Sequence, residues 1–476
     1  MSDRYRKMIF FLMVASILAP VFILALNESI SETALVIMLL SAAVVGLFFL
    51  REDLALMLII ASMLLSPEIS MGAIERKPIV IRFEDIFLVL LSFLWMVKIA
   101  VRKDVRLIAP TPLNRYLGLY SLMFIIATGK GVIVDGVNPV KGFFYMAKYL
   151  EYFVLYIVVS NFMRDKKQLK TLMAMFFFVF IIVNIYAISQ IGHRPRVSAP
   201  FEGPVGEPNT LGGYQVIMTA LAVGFTIHSR SFATKAAMIS MIGLTVAPFL
   251  YTLSRSSYLA LIVMFLTMTV VASRGRRRLA VSLLVLVALT AVLLPNEVRD
   301  RIKDTFTAHP SENIPVQTVL GVKVGPSASA RLLSYKQVFA DFIKSPVTGY
   351  GVTGKGFLDS QFVTTLLETG VLGMIGFLFM LYGVARHTLR VYRTAGDSFY
   401  KGMALGFFSA HIGMIAHAIT ANTFIIIRIM EPYWFIAAML MAVPRIEREE
   451  NDNLTAVQED DTPRGIRNVE LLVGEA

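Results

Sequence analysis

No cysteine occurs in the chain. That excludes disulfides, thiolate metal sites and a cysteine nucleophile. Charge is scarce: Asp, Glu, Lys and Arg make up 16% of the 476 residues, against about 25% in soluble domains. Hydrophobic residues make up 56%, and mean hydropathy is +0.67. A water-soluble fold cannot bury that much apolar surface. The period-two alternation of a transmembrane β-barrel is missing from runs such as Ala280–Leu294 and Leu372–Leu381. There is no HExxH zinc motif. His411 and His417 are separated by about 240° around a helix, so they share no face as paired ligands would. No internal repeat stands out, which disfavours transporters built on inverted repeats.

What remains is a series of apolar runs near the ~20 residues that cross a hydrocarbon core as a helix. The runs predict an all-α, polytopic membrane bundle of about fourteen spans. They fall at 8–26, 33–50, 52–66, 86–101, 113–128, 143–160, 171–191, 209–228, 236–253, 256–273, 279–294, 360–385, 399–420 and 428–444. Met8–Leu26 is long for a signal peptide and reads as a retained first helix.

The net charge of +12 would suggest nucleic acid in a soluble protein. Here the cations sit at the ends of apolar runs, as the positive-inside rule requires, and no nucleic-acid partner is expected. Alternate connections are basic. They carry Arg4, Arg6 and Lys7; Arg51; Arg102, Lys103 and Arg106; Arg164, Lys166, Lys167 and Lys170; Arg230 and Lys235; Arg274, Arg276, Arg277 and Arg278; Arg386, Arg390 and Arg393; and Arg445 and Arg448. This alternation predicts both termini on the cytoplasmic side.

The longest connection, 295–356, then falls outside. Within it Ala328–Lys344 reads as an amphipathic helix with Leu332, Tyr335, Val338, Phe339 and Phe342 on one face. The acidic tail 445–476 has weak periodicity and reads as disordered. The expected division is 1–191, N-terminal spans; 192–444, a second transmembrane region that includes the large loop; and 445–476, the tail.

Ionisable residues in hydrocarbon are costly, so each is a functional candidate. They gather at the outer ends of the spans. Arg255 lies in Tyr251-Thr-Leu-Ser-Arg-Ser-Ser-Tyr258, between two apolar runs joined by almost no loop. Its guanidinium is a permanent fork of donors suited to phosphate oxygens; the competing reading is an interfacial anchor. The outer loop Gly192–Asn209 carries Arg194 and Arg196 beside Glu202 and Glu207, and Asn209 is placed to cap the next helix. A helix N-terminus beside two arginines suits an anion. Asp359 enters the membrane after Gly349-Tyr-Gly-Val-Thr-Gly-Lys-Gly356 as a candidate general base. Those glycines lack Walker spacing and read as flexible re-entry. Lys148 with Glu151, and Arg428 with Glu431, are spaced to neutralise each other. No metal site is expected.

The ordered set GEPNTLGGY (Gly206–Tyr214), LSRSSYLAL (Leu253–Leu261), Arg331, KSPVTGYGVTG (Lys344–Gly354), DSQFVTTLLETGVLG (Asp359–Gly373) and RIMEPYWF (Arg428–Phe435) resembles the O-antigen ligase and polymerase superfamily of bacterial envelope enzymes. The resemblance implies an inverting, metal-independent glycosyltransferase, without cofactor, on the outer face of the cytoplasmic membrane. Its donor would be an oligosaccharide on undecaprenyl diphosphate, its acceptor a glycan or a lipid-linked glycan, its surroundings membrane lipid. A chain-length regulator and a flippase would be partners. Arg255 matches the Ser-Arg position directly, and Arg194 or Arg196 the loop arginine. Arg331, Asn209, Glu207, Arg428 and Glu368 lie in or beside the matching motifs as substrate-binding candidates. Ligases carry a histidine where this chain reads Asp359-Ser360-Gln361, so the resemblance leans toward a polymerase. A ligase or protein O-oligosaccharyltransferase is the alternative, and a lipid-linked oligosaccharide flippase the alternative of another class.

Overall fold

In the computed structural model, the described residues are 51–74, 77–101, 108–202, 206–273, 338–355 and 359–460, with a few isolated positions between them. Expectations for 8–26, 33–50, 279–294, Arg331 and the tail beyond Asp460 fall outside those residues. Every other expected span coincides with a helix. These are α1 (Glu52–Leu65), α2 (Phe83–Val101), α3 (Asn114–Val134), α4 (Pro139–Phe162), α5 (Lys166–Ser189), α6 (Pro208–His228), α7 (Phe232–Tyr251), α8 (Arg255–Val271), α9 (Gln361–Thr394), α10 (Ser398–His417) and α11 (Ile427–Asp460). Seven of them, α3 to α7, α9 and α11, are long and apolar enough to cross a membrane. The expected fourteen spans are therefore not reproduced among the described residues. The helices α1, with 14 residues, and α8, with 17, fall short of the length.

Several helices start where a side chain satisfies one of their first amides. Asn138 accepts from Lys141 N, with Pro139 next to it. Asp165 accepts from Gln168 N, Ser231 from Thr234 N and Asp397 from Phe399 N. Each such cap contributes about 1 kcal/mol.

The bundle is helical, as expected, and two details differ from the sequence reading. An antiparallel hairpin, β1 (Ile69–Ile74) with β2 (Lys77–Ile81), joins α1 to α2, pairing Ile69 with Ile81 and Ile74 with Lys77. The second is the tail. It was read as losing order at Arg445, whereas α11 runs on through Pro444 to Asp460. Arg445 is held there by the Met163 carbonyl at 2.5 Å, and Glu447 accepts from Gly396 N at 2.9 Å.

The centre of the bundle is α6, buried along nearly its whole length. It lies backbone to backbone against α10. A Cβ on Gly406 would sit 2.6 Å from Leu221 Cα. Small residues of this kind let membrane helices touch without side chains between them. Trp434 on α11 fills the adjoining core, its ring edge-on to Phe153 of α4 at 5.2 Å.

The contacts divide the connections into two ends. Arg164 pairs with Asp53 at 2.6 Å, Lys98 with Glu52 at 2.8 Å and Lys166 with Asp397 at 2.5 Å. These residues belong to the end read as basic. At the opposite end Arg82 meets Glu68, Lys130 meets Ser345 and the start of α9 meets the end of α10. Among the described residues, these contacts group the connections at two ends of the bundle.

One helix is broken. Gly370 has φ 65 and ψ −166 inside α9, so 361–369 forms a separate half-helix. The freed carbonyls of Leu367 and Glu368 accept from Tyr350 N (2.9 Å) and Gly351 N (2.8 Å). Beyond the break, Val371 N and Leu372 N donate to Pro346 and Val347. Irregular backbone within a membrane protein needs such internal partners. The glycine-rich stretch expected to be a flexible re-entry is therefore a docked plug, held also by Lys130 Nζ on the Gly349 carbonyl at 3.0 Å. Of the expected amphipathic helix 328–344, residues 338–342 are helical. Phe339, placed by the sequence on its apolar face, is exposed, and Val338 is buried.

Candidate functional site

Only Thr252, Leu253 and Ser254 separate α7 from α8. The chain reverses because α7 stops at Tyr251 and Leu253 takes φ +50, a left-handed conformation that side chains disfavour. Ser254 then caps α8 by accepting from Ser257 N. Arg255, half-buried, becomes the first residue of that helix. Its charge therefore stands at a helix N-terminus, where the backbone dipole also favours an anion.

The elbow is held from two sides. Arg196 Nε donates to the Thr252 carbonyl at 2.9 Å and Nη2 to the Leu253 carbonyl at 3.4 Å. Val197 N adds a bond to Tyr251 O at 3.1 Å. From the other side Ser254 Oγ donates to Asn209 Oδ1 at 2.7 Å. Ser256 Oγ lies 2.7 Å from Thr420 Oγ1 at the end of α10.

The loop 190–207 is a compact scaffold. Gln190 brackets Ser198, accepting from its N and donating to its O. Glu202 Oε2 accepts from Ala199 N at 3.1 Å and Glu207 N at 3.0 Å. Burial pushes the Glu202 carboxyl up to about 7, against the opposing pull of Arg428 and of these backbone donors.

The sequence-read candidates separate on this geometry. Arg255, Arg194, Arg196, Glu207 and Asn209 gather around the elbow and the loop beside it. Asn209 does not cap α6, as expected; Pro208 takes the first helical position, Glu207 becomes the cap residue, and Asn209 turns to Ser254 instead. Asp359 is exposed and directly precedes Ser360 and Gln361, whose N donates to the Ala418 and Ala421 carbonyls. The turn 418–421 therefore touches both the residue after Arg255 and the start of α9. Arg255 and Asp359 lie at the same end of the bundle, on two sides of that turn.

Arg428 and Glu368 sit elsewhere. Arg428 is 3% exposed and spends its guanidinium on the carbonyls of Leu64, Ser66, Pro200 and Phe201, 2.5 to 3.4 Å away. It fastens the loop to α1 rather than neutralising Glu431, and its nearby acid is Glu68 at 3.7 Å. Glu368 is buried and accepts from Thr353 N at 3.1 Å, so it holds the plug. Lys148 does pair with Glu151, at 3.1 Å.

Asp85, Glu151 and Glu431 bring carboxylate oxygens within 4.8 Å of one another, a spacing that would hold a cation. Lys148 Nζ already lies 2.7 Å from Asp85 and bridges to Glu151, so an ammonium fills that role.

Sequence reasoning missed a buried polar chain. Ser254 Oγ lies 2.8 Å from Ser257 Oγ, which lies 3.2 Å from His417 Nε2. His417 Nδ1 lies 2.7 Å from Thr423 Oγ1. The serines flanking Arg255 were the available signal. By spacing alone His417 reads only as a candidate metal ligand. The other histidine of that pair, His411, is spent on Leu381 O and Tyr433 Oη.

No curated protein matches the chain. Residues 236–378, from α7 through the elbow and Asp359 into α9, match the family model described as O-antigen ligase, which supports the resemblance to the O-antigen ligase and polymerase superfamily.

Proposed function

We propose that the protein is a polymerase of envelope polysaccharide, transferring glycan from undecaprenyl diphosphate onto a lipid-linked acceptor at the outer face of the cytoplasmic membrane. The observation that carries this reading is the elbow, which presents Arg255 at the N-terminus of α8. In the reaction an acceptor hydroxyl attacks the anomeric carbon. The bond from that carbon to the diphosphate oxygen breaks, and the electron pair leaves with the diphosphate. Arg255, with Arg194 of the neighbouring loop as a second cation, meets the charge that develops there. Asp359 takes the proton of the attacking hydroxyl. Inversion and independence from metal follow the superfamily resemblance. Arg196 contributes through the elbow's carbonyls rather than by gripping phosphate. Both termini are cytoplasmic, and a flippase and a chain-length regulator would work alongside.

A ligase reading draws support from the description of the matching family model. Asp359 where ligases carry histidine favours the polymerase. Surface glycan from a deletion strain separates them. Single repeats still attached, without long chains, support polymerisation; long polymer stranded on undecaprenyl diphosphate overturns it in favour of ligation. Purified protein that moves the lipid-linked glycan across vesicles but never releases undecaprenyl diphosphate would instead establish a flippase. Within the enzyme, Arg255→Lys keeps the charge and loses the planar fork. Turnover should fall about 10²- to 10³-fold, the range for losing one preorganised donor to a developing anion. Wild-type turnover would remove Arg255 from that role.

A further inference from the structure

The chain Thr423–His417–Ser257–Ser254–Asn209 has a direction. Its anchor is the Asn209 carbonyl oxygen, which only accepts, so the Ser254 hydroxyl donates to it. Ser254 Oγ is then the acceptor for Ser257, and the Ser257 hydroxyl donates to it. Ser257 Oγ must in turn accept from His417, which puts the imidazole proton on Nε2. His417 Nδ1 is left as the acceptor for the Thr423 hydroxyl. Every hydroxyl proton in the chain is committed, and every one points along it toward Asn209. The imidazole is neutral in this arrangement, because protonating Nδ1 would remove the acceptor that Thr423 needs.

The surroundings leave these groups no alternative. His417, Ser257 and Thr423 are 0% exposed and Ser254 is 1% exposed. A Cβ on Gly212 would fall 2.2 Å from Ser257 Oγ, and one on Gly213 would fall 3.7 Å from His417 Nε2. Glycines on α6 thus make the space in which α8 and α10 exchange these bonds. No substrate reaches His417, so it cannot be the base. What it fixes is the rotamer of Ser257, the orientation of Ser254, and through Ser254 the first turn of α8 that carries Arg255.

We propose that His417 is a positioning residue for the transfer reaction: it sets the placement of Arg255 from the opposite side to Arg196. This rests on the reading of Arg255 as the group that meets the diphosphate. Misplacing a donor that acts mainly on charge developing in the transition state lowers kcat more than it raises KM.

The test measures kcat and donor KM on purified full-length enzyme in lipid vesicles, with synthetic undecaprenyl-diphosphate oligosaccharide, per folded molecule. His417→Ala should lower kcat about tenfold or more, with donor KM changed less than about threefold. His417→Gln, whose amide can donate to Ser257 and accept from Thr423, should restore most of the rate. In an Arg255→Lys background, His417→Ala should cost less than about twofold further, because the two act as a unit. A full additional loss in the double variant, a loss seen only in KM, or no recovery with Gln would overturn the proposal. If His417→Ala does not fold, Thr423→Val takes its place. It removes the hydroxyl at nearly constant volume and should lower kcat in the same direction; unchanged kcat there would overturn the proposal equally. Wild-type activity of Arg255→Lys alone would instead strike the reading of Arg255 on which the proposal stands.

Discussion

The most informative perturbation is Arg196→Ala, because it removes a support of Arg255 without touching α8. Leu253 sits at φ +50, which costs roughly 1–2 kcal/mol for a side chain with a Cβ. Something must offset that cost, and Arg196 is a charged donor to the carbonyls of the strained turn. Its Nε bond to Thr252 at 2.9 Å is well formed, whereas the Nη2 bond to Leu253 at 3.4 Å is marginal. A hydrogen bond from a charged group contributes about 1.5–3 kcal/mol net. Deleting Arg196 therefore removes roughly the amount that the elbow's strain consumes. The Val197–Tyr251 and Ser254–Asn209 bonds remain, so the elbow should shift toward relaxed forms rather than unfold. A shift of about 1.4–2 kcal/mol in that balance is a ten- to thirtyfold fall in the competent population.

The assay is undecaprenyl diphosphate release per folded enzyme in vesicles. The decisive control is Leu253→Gly in the Arg196→Ala background. Glycine adopts this φ without the Cβ penalty, so the double variant should regain about tenfold despite losing a buried leucine side chain. If the double variant is no faster than Arg196→Ala, strain at Leu253 is not what Arg196 offsets. If Arg196→Ala turns over at the wild-type rate, the elbow does not need Arg196.

Further outcomes follow from the same geometry. Asp359→Asn should lower turnover about 10²- to 10⁴-fold, the range for a general base, and full activity would leave the attacking hydroxyl with a different base. Gly406→Ala places a methyl 2.6 Å from Leu221 Cα; overpacking there should cost about 1–3 kcal/mol, read as a lower thermal midpoint in detergent, and an unchanged midpoint would mean α6 and α10 separate freely. Glu202 has its folded pKa raised to about 7 by burial, so it binds its proton more tightly folded than unfolded. Its contribution to stability is full below about pH 4.5 and is lost as pH rises toward 7. Amide exchange at Ala199 and Glu207 should therefore quicken between pH 5 and pH 8, after correction for intrinsic rates, and Glu202→Gln should flatten that dependence. Equal protection at both pH values would contradict the buried-carboxyl reading.

The features visible in the sequence are those that repeat or alternate. Apolar runs located α1 to α11, because the span is set by the bilayer and by each segment's own composition, though α9 and α11 continue to Thr394 and Asp460, well past the apolar stretches that mark them. The alternation of Arg and Lys divided the connections into two ends, because that signal is carried by each connection alone. Arg255 was visible for the same reason: a charge between two apolar runs is costly wherever the chain goes. What could not be read is pairing across distance. Arg428 looked like a partner for Glu431 by local spacing, yet its guanidinium is taken by carbonyls of α1 and of the loop 190–207. Asn209 looked like a cap, yet Pro208 claims the helix start and frees the amide for Ser254, across 45 positions of sequence. The break at Gly370 is one glycine among many until the plug is seen against it.

The same distinction explains why the site divides as it does. A residue that acts on a ligand must be tolerated in a partly polar, partly exposed place, and such residues stand out against an apolar chain. A residue that acts on another residue is fully satisfied and buried, and its side chain looks like any core histidine or serine. On the proposed function Arg255 belongs to the first kind. The groups that aim it, Arg196 on one side and Ser254, Ser257 and His417 on the other, belong wholly or partly to the second. Substitutions among them separate two views that activity at Arg255 alone cannot. If Arg255 acts merely as a local concentration of charge, variants on either side of the elbow should fold and turn over normally. If it must meet a transferring diphosphate in a fixed pose, both sides should lower kcat. Their effects should also vanish together once Arg255 has lost its fork, since two supports of one side chain cannot matter independently of it.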